Sequence, residues 1–521
     1  MLTVDLHPYQ DAALEAFLSR GNLLLALDMG LGKTITSLGA AEELLGREEI
    51  GRTLIVCPSG LKLQWAQAIA TRTDVATKAI KAKDEVLEVP EDRYCVVIDG
   101  TPAQRRELYK MIDELHPEYV IVGYQTVASD LRYIKRIKPG LIVLDEATTI
   151  KNPAAGVTRA VRQLWAPWRL ALTGTPIDNR LEELYHILRW VDPDVLGDFE
   201  KFDRSFIKRD FWGRVKRYVN LPILHKKVAD VLFRRKATDP DVAPYMPDLY
   251  HDRWLVTMDE STARVYRRIM ADLGDELGNL PARERFDLAA HYQGHSESTP
   301  AGRIMAIHIC AEMLLTNPAL LAESDSHYSR EIVQTGAIDG LPESAKWRRL
   351  CAEVDALLAD PGNKIIITSR FRRMVDCITE RWPDSVAYHG GMSPRDKQAA
   401  VSRFEHDPTI RVLAMSHAGA YGVDLPAANV LINLDPARST GQRNQIAHRH
   451  VRAGSRHDRV RVVDLITAGT IEERTYNRLD LRGRVASAAI DGSGADEIGQ
   501  VVDDVTSLTE HVTTVLTGSR R

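Results

Sequence analysis

Two short strings in this chain combine residue types and spacing that suit phosphate chemistry. Asp28-Met29-Gly30-Leu31-Gly32-Lys33-Thr34 follows the apolar run Leu23 to Leu27 and precedes Ile35 to Leu45, a good helix former. A strand, a glycine loop and a helix in that order let main-chain N–H groups close around phosphate oxygens. The helix N-terminus adds a favourable partial charge, and a lysine reaches the β and γ phosphates. Lys33 is placed to be that cation, with the Thr34 hydroxyl available to magnesium. Leu27 stands where the strict GxxxxGK[ST] pattern has its first glycine, so a simple glycine turn is the competing reading.

Asp145 and Glu146 directly follow Leu141 to Leu144, so two carboxylates project from the end of an apolar strand. In that position Asp145 holds magnesium, directly or through water, and Glu146 orients and deprotonates an attacking water. Capping of a helix is the alternative use of such a pair. Together the loop and the pair imply hydrolysis of ATP with Mg2+. Further along, Gln445, Arg449 and Arg452 recur at helical steps and share one face of a helix. Arginines brought to a γ-phosphate stabilise transition-state charge, whereas a basic face meeting solvent or DNA phosphates has no such role.

These residues need a scaffold that presents strand ends. The first half repeats short apolar runs followed by amphipathic stretches: Asn22 to Ala26, Thr53 to Cys57, Cys95 to Ile98, Tyr119 to Val122, Leu141 to Leu144 and Arg169 to Leu172. That rhythm predicts parallel strands with crossover helices, which bind ligands beyond the carboxyl ends of the strands. From Glu182 to Lys236 the pattern turns helical, and Glu260 to Leu321 is mostly helical with a polar break around Gly294 to Pro300. The strand rhythm returns with Lys364 to Thr368, Val386 to Tyr388, Val412 to Met415, Val430 to Leu434 and Arg459 to Leu465. The expectation is an α/β protein of two parallel-sheet lobes with helical insertions. The first lobe covers 1–240, with an insertion near 181–235. A helical linker covers 241–345, the second lobe 346–480, and a weakly patterned tail without assigned chemistry 481–521.

Composition excludes several classes. A chain of 521 residues exceeds what one core usually organises. With 44% hydrophobic and 27% charged residues it reads as globular rather than disordered or membrane-embedded. No apolar run reaches the roughly 18 to 20 residues of a spanning helix, and Met1 to Gln10 does not resemble a signal peptide, so a cytoplasmic protein is expected. Cys57, Cys95, Cys310, Cys351 and Cys377 lie too far apart in sequence to form zinc or redox pairs. A net charge of -4 offers nucleic acid no global attraction, leaving the basic clusters at Arg132 to Lys138, Lys201 to Arg217, Lys226 to Lys236 and Arg443 to Arg461. Any one of these clusters is equally a solvated face.

The order of motifs over residues 6 to 480 resembles the Swi/Snf-like branch of superfamily two helicases and DNA translocases. The resemblance rests on Leu6-His7-Pro8-Tyr9-Gln10, the glycine loop, Leu54 to Trp65 (LIVCPSGLKLQW), Gly123-Tyr124-Gln125-Thr126, the acidic pair with Lys151-Asn152, and Leu172-Thr173-Gly174-Thr175-Pro176-Ile177. It continues through Glu183-Leu184-Tyr185, Asp192-Pro193, Phe233-Arg234-Arg235-Lys236, Tyr388-His389-Gly390-Gly391, Arg403-Phe404, Ser416 to Leu425 (SHAGAYGVDL) and Gln445 to Gly454. This resemblance implies two RecA-like lobes and a minimal, bacterial or phage-like ATP-driven motor in the bacterial cytosol or a phage-infected cell.

By the same resemblance Gln10 reads adenine, while Met29, Gly30, Leu31, Gly32, Lys33, Thr34, Gly422 and Asp424 hold nucleotide. Thr148, Thr173, Gly174, Thr175 and Gln445 couple hydrolysis to movement, and Arg449 and Arg452 are arginine fingers. Thr148 replaces the family's usual histidine, Asp178 a usual glutamine, and Ser455 another glutamine. The implied partner is duplex DNA, bound without sequence preference, and no membrane. Tyr124, Gln125, Thr126, Arg370, Arg373, Ser416 and Gly419 are the candidate backbone contacts. A strand-separating DNA or RNA helicase is the alternative activity, and a nucleotide-gated, non-catalytic DNA-binding scaffold a further one.

Overall fold

The computed structural model describes residues 1–75, 95–211, 213, 215–280, 297–417, 425–448, 450–451, 455–493, 497–498 and 504–517. The described chain divides into two compact units, each built on its own sheet. The first comprises Met1–Phe206, Val219–Met246 and Arg484–Glu497; the second comprises Ile207–Tyr218, Pro247–Gly483 and Ile498–Arg521.

Apolar runs form the sheet of the first unit: β1 (Asn22–Leu27), β2 (Thr53–Cys57), β3 (Cys95–Val97), β4 (Tyr119–Gly123), β5 (Leu141–Leu144), β6 (Trp168–Leu172) and β7 (Leu232–Arg235). Every pairing is parallel, in the order β3-β4-β2-β5-β6-β1-β7. Strands covered on both faces carry continuous hydrophobic runs rather than alternation, and β2, β4 and β5 are buried along their whole length. Crossover helices lie on the faces. Of these, α1 (Pro8–Arg20), α2 (Lys33–Gly46) and α3 (Lys62–Arg72) share a core with β1 and β2 through Tyr9, Phe17, Leu38, Leu44, Trp65 and Ile69.

The sheet of the second unit consists of β8 (Asp248–Val256), β9 (Ile365–Ser369), β10 (Ser385–Tyr388), β11 (Val412–Ser416), β12 (Val430–Asn433) and β13 (Arg459–Thr467). It too is parallel, ordered β8-β13-β12-β9-β11-β10. A separate helical core joins α4 (Glu260–Gly278), α5 (Pro300–Thr316) and α6 (Asp504–Thr517) through Ile269, Leu273, Ile304, Ile307, Leu508 and Val512.

Local pattern missed four things, the first being β8 (Asp248–Val256), a strand inside the expected helical linker 241–345 whose mostly exposed, partly charged residues give no apolar run. The stretch expected to be helical up to Lys236 contains the strand β7 and an antiparallel hairpin of Ile207–Arg209 with Val215–Val219. Both carry basic residues on half-exposed strands and lack the apolar run that marks a buried one. The tail, given no structure from sequence, contributes Leu508 and Val512 to the helical core and places residues 484–497 in the first unit. Part of the polar break before Pro300 lies outside the described residues. Among the described residues no helix is long and apolar enough to cross a membrane.

Candidate active site

The loop after β1 turns on two glycines with left-handed backbone, Gly30 at φ 81° and Gly32 at φ 79°. L side chains rarely adopt that conformation, and at Gly32 an added Cβ would stand 2.3 Å from Gln10 Nε2. The first turn of α2 begins at Lys33 with no side-chain cap, leaving its N–H groups directed at the loop. Lys33 Nζ folds back and donates to the carbonyls of Leu27 at 2.9 Å and Asp28 at 3.1 Å. Burial lowers the Lys33 pKa, opposed by the negative charges of Glu146, Asp145 and Asp28.

Gln10 serves this loop from α1. Its Nε2 donates to the Leu31 carbonyl at 3.0 Å and the Tyr9 hydroxyl at 3.3 Å, and its Oε1 accepts from the His7 N–H at 2.9 Å. The amide expected to read a base is here used to pin the loop. Met29 lies against Gly174, where a Cβ would come within 2.8 Å of the Met29 methyl. The nucleotide loop therefore packs directly on the Thr173-Gly174-Thr175 turn that follows β6.

Asp145 stands at the end of β5 and is buried. Its Oδ2 accepts from the indole N–H of Trp65 at 2.8 Å, and its Oδ1 accepts from the Glu146 N–H at 2.9 Å. Burial raises its pKa, against the pull of Trp65 and Lys33. Glu146 has a left-handed backbone at φ 50°, an uncommon conformation for a side-chain-bearing residue and one met at functional sites. Thr148 is half-buried in the short turn that follows, Ala147–Ile150. Thr173 is fully buried, and its Oγ1 accepts the Thr175 N–H at 3.1 Å. Asp178, which replaces the family's glutamine, pairs with Lys151 at 2.7 Å, while Glu183 approaches the same ammonium at 3.3 Å.

Two residues expected at a DNA surface have internal roles. Tyr124 is buried and its hydroxyl donates to the main-chain carbonyl of Asp145 at 2.8 Å. Arg370, just after β9, forms a buried ion pair with Glu312 of α5, while its N–H donates to Asp435 at 2.8 Å. Ser416 is likewise buried at the end of β11. Gln125 is exposed and Thr126 half-buried. Arg373 is half-exposed and paired with Glu323 at 3.1 Å and Glu380 at 2.8 Å.

Gln445 is half-buried on helix Thr440–Ala447, which ends before His450 and Val451 and so is too short to carry the single face expected for positions 445, 449 and 452. Arg449, Arg452, Gly419, Gly422 and Asp424 lie outside the described residues. Sequence reading gave no role to Trp65, the donor to Asp145, although it ends one of the quoted motifs. An indole one turn into the helix that follows β2, Lys62–Arg72, was the available signal. Among the described residues no group of three or more His, Cys, Asp or Glu is arranged to hold a metal by itself.

Comparison with known proteins agrees with this layout. Residues 9–313 match the SNF2-related domain and residues 345–454 the helicase conserved C-terminal domain. The TATA-binding protein-associated factor mot1 of Schizosaccharomyces pombe is 27% identical over 96% of this chain and 27% of its own length. The DNA repair and recombination protein RAD54 of Saccharomyces cerevisiae is 25% identical over 90% of this chain and 53% of its own. The chain thus spans between about a quarter and about half the length of these two relatives.

Among solved structures, the Hef helicase domain of Pyrococcus furiosus has 18% identity and a TM-score of 0.50, covering 90% of this chain and 97% of that one. The Sulfolobus solfataricus SWI2/SNF2 ATPase core in complex with dsDNA has 21% identity and a TM-score of 0.41, covering 94% of each chain. A nucleotide loop, an acidic strand end and a threonine turn on neighbouring strands, matched over more than half the sequence, make this chain a member of the SNF2-related family of helicase-like ATPases.

Proposed function

We propose that this chain hydrolyses ATP in a DNA-dependent manner and uses the cycle to translocate on duplex DNA, remodelling DNA or the proteins bound to it. One observation carries the reading. Strands β5, β6 and β1 are neighbours, so Asp145-Glu146, Thr173-Gly174 and Lys33 follow the carboxyl ends of three adjacent strands. Parallel sheets bind ligands at that edge. Similarity to a DNA repair and recombination protein supports DNA as the partner.

The loop fits a polyphosphate, because Gly30 and Gly32 adopt the left-handed backbone that turns main-chain N–H groups towards phosphate oxygens. Lys33 supplies positive charge to the β and γ oxygens, exchanging its two carbonyl partners for phosphate. The Thr34 hydroxyl and the Asp145 carboxylate are the hard oxygen donors that would hold a magnesium ion bound with the nucleotide, which would neutralise phosphate charge. Trp65 fixes the orientation of Asp145. Glu146, on its left-handed backbone, orients the attacking water and takes its proton. Thr173 to Thr175, with Met29 against Gly174, transmit the state of the loop to β6. Arg449 and Arg452 stabilise transition-state charge, and phosphate contacts to DNA carry no sequence preference.

The test is steady-state ATP hydrolysis without nucleic acid and with duplex DNA, single-stranded DNA or RNA, using Lys33→Ala as the blank. Stimulation chiefly by duplex DNA supports translocation. Stimulation chiefly by single strands or RNA favours a strand-separating helicase, and parent activity equal to the blank leaves a non-catalytic scaffold.

A further inference from the structure

The segment after helix Ile471–Ala486 is built into the first unit with more care than a tail requires. Ser487–Asp491 forms a wide helical turn whose Ala488, Ala489 and Ile490 side chains are buried. Such wide turns are rare and recur at functional sites. The Ile490 carbonyl lies 2.8 Å from His225 Nδ1. Gly492 then turns away at φ 67°, where a Cβ would come within 2.8 Å of the His225 ring.

The turn presents one carboxylate, Asp491, whose side chain is 11% exposed. Asp491 Oδ1 accepts from Arg234 Nε at 3.1 Å, and its Oδ2 accepts from Ser487 at 2.8 Å and faces Lys236 Nζ at 3.4 Å. The same Arg234 guanidinium reaches Asp28 Oδ1 at 2.7 Å through Nη2 and donates to the Ala26 carbonyl at 2.8 Å through Nη1. Asp28 opens the nucleotide loop, and its carbonyl accepts from Lys33 Nζ at 3.1 Å. A continuous polar chain therefore runs from Asp491 through Arg234 and Asp28 to Lys33.

We infer that Asp491 is a positioning residue for the nucleotide loop, acting through Arg234 and Asp28, and that the 484–493 segment thereby sets the affinity of the first unit for ATP. Arg234 is shared between two carboxylates. With Asp491 present, the guanidinium is held at a fixed place beside β1 and keeps Asp28, and with it the loop, in register. Without that charge Arg234 is free to follow Asp28, and the loop loses an anchor. A planar guanidinium suits this task because it binds in several fixed directions at once, which an ammonium does not.

The inference rests on the ATPase reading, and the experiment separates the two. Full-length parent, Asp491→Asn, Asp491→Glu, Lys33→Ala and Asp230→Asn are compared for KM and kcat of ATP with saturating duplex DNA, alongside melting midpoints. Asp230→Asn removes an exposed pair with Arg20, remote from the loop, and serves as the control. Losing one charge-assisted contact predicts a rise in KM of about tenfold for Asp491→Asn with kcat nearly unchanged, substantial recovery in Asp491→Glu, and no effect of Asp230→Asn. An unchanged KM in Asp491→Asn overturns the inference. So does a rise that Asp491→Glu fails to reduce and that tracks a lowered melting midpoint, because that is the signature of a lost structural strap. Parent activity equal to Lys33→Ala removes the ATPase reading itself, and the inference with it.

Discussion

The Tyr124 hydroxyl donates to the main-chain carbonyl of Asp145 across 2.8 Å, tying the start of the helix after β4 to the acidic end of β5. Both groups are buried, and burial raises the Tyr124 pKa well above its ordinary value, keeping the phenol a donor. Tyr124→Phe leaves that carbonyl without its phenol donor, at a cost of about 1–3 kcal/mol. The expected result is a lower urea midpoint together with reduced kcat, since Glu146 follows immediately. Unchanged stability and weaker DNA binding would instead restore Tyr124 to the DNA surface.

Glu146 and Lys33 have separable roles. Glu146→Gln is expected to bind ATP as the parent does while kcat falls by roughly 10²–10⁴-fold, the usual contribution of a general base. Lys33→Ala is expected to weaken nucleotide binding as well. Fluorescent-nucleotide titration paired with hydrolysis distinguishes these outcomes. Parent-like turnover in Glu146→Gln would remove its assignment as base.

Gly32→Ala forces both a left-handed backbone on an L residue and a Cβ into the Gln10 amide. The backbone alone costs about 1–3 kcal/mol, and moving Gln10 releases the Leu31 carbonyl it holds. ATP affinity should fall sharply. Truncating the amide in the double variant Gly32→Ala/Gln10→Ala should recover little, because the backbone term persists. Full recovery would show that the side-chain clash alone mattered.

The Glu312–Arg370 pair should contribute measurably to the acid behaviour of the second unit. Burial by itself raises the Glu312 pKa, but Arg370 and His308 prevail and hold it at about 2. A depressed carboxylate contributes stability that is complete above its ordinary 4.5 and is lost as pH falls through 4.5 towards about 2, on the order of 3 kcal/mol in all. Arg370→Ala should cost about 3–5 kcal/mol even at neutral pH by stranding the buried carboxylate. Urea unfolding across this pH range is the measurement. Parent-like stability with lost DNA affinity would return Arg370 to its expected surface role.

What sequence made legible were the features written locally. Leu141 to Leu144 with Asp145-Glu146, and Leu23 to Leu27 with the glycine loop, combine an apolar run and a polar end within a few positions, and both strand ends are where the pattern placed them. Arg370 and Tyr124 also follow strands, and nothing in their type or position distinguishes a side chain facing DNA from one satisfying a buried neighbour. That choice is made by Glu312 and by the Asp145 carbonyl, which are distant in sequence. Asp491 was illegible for the same reason, because its partner Arg234 lies 257 positions earlier.

The docking of residues 484–493 has a consequence for the nascent chain. The ribosome releases β1 to β7 early, yet His225 of helix Leu221–Val228 meets its partner only after Ile490 has been made, 265 positions beyond it. Until then the first unit lacks the buried Ala488, Ala489 and Ile490, and an incomplete unit is open to chaperones or to misassociation with other unfinished chains. The first unit begins folding first and completes late, so synonymous codon changes that slow translation between residues 246 and 484 should prolong that exposure without altering the finished protein.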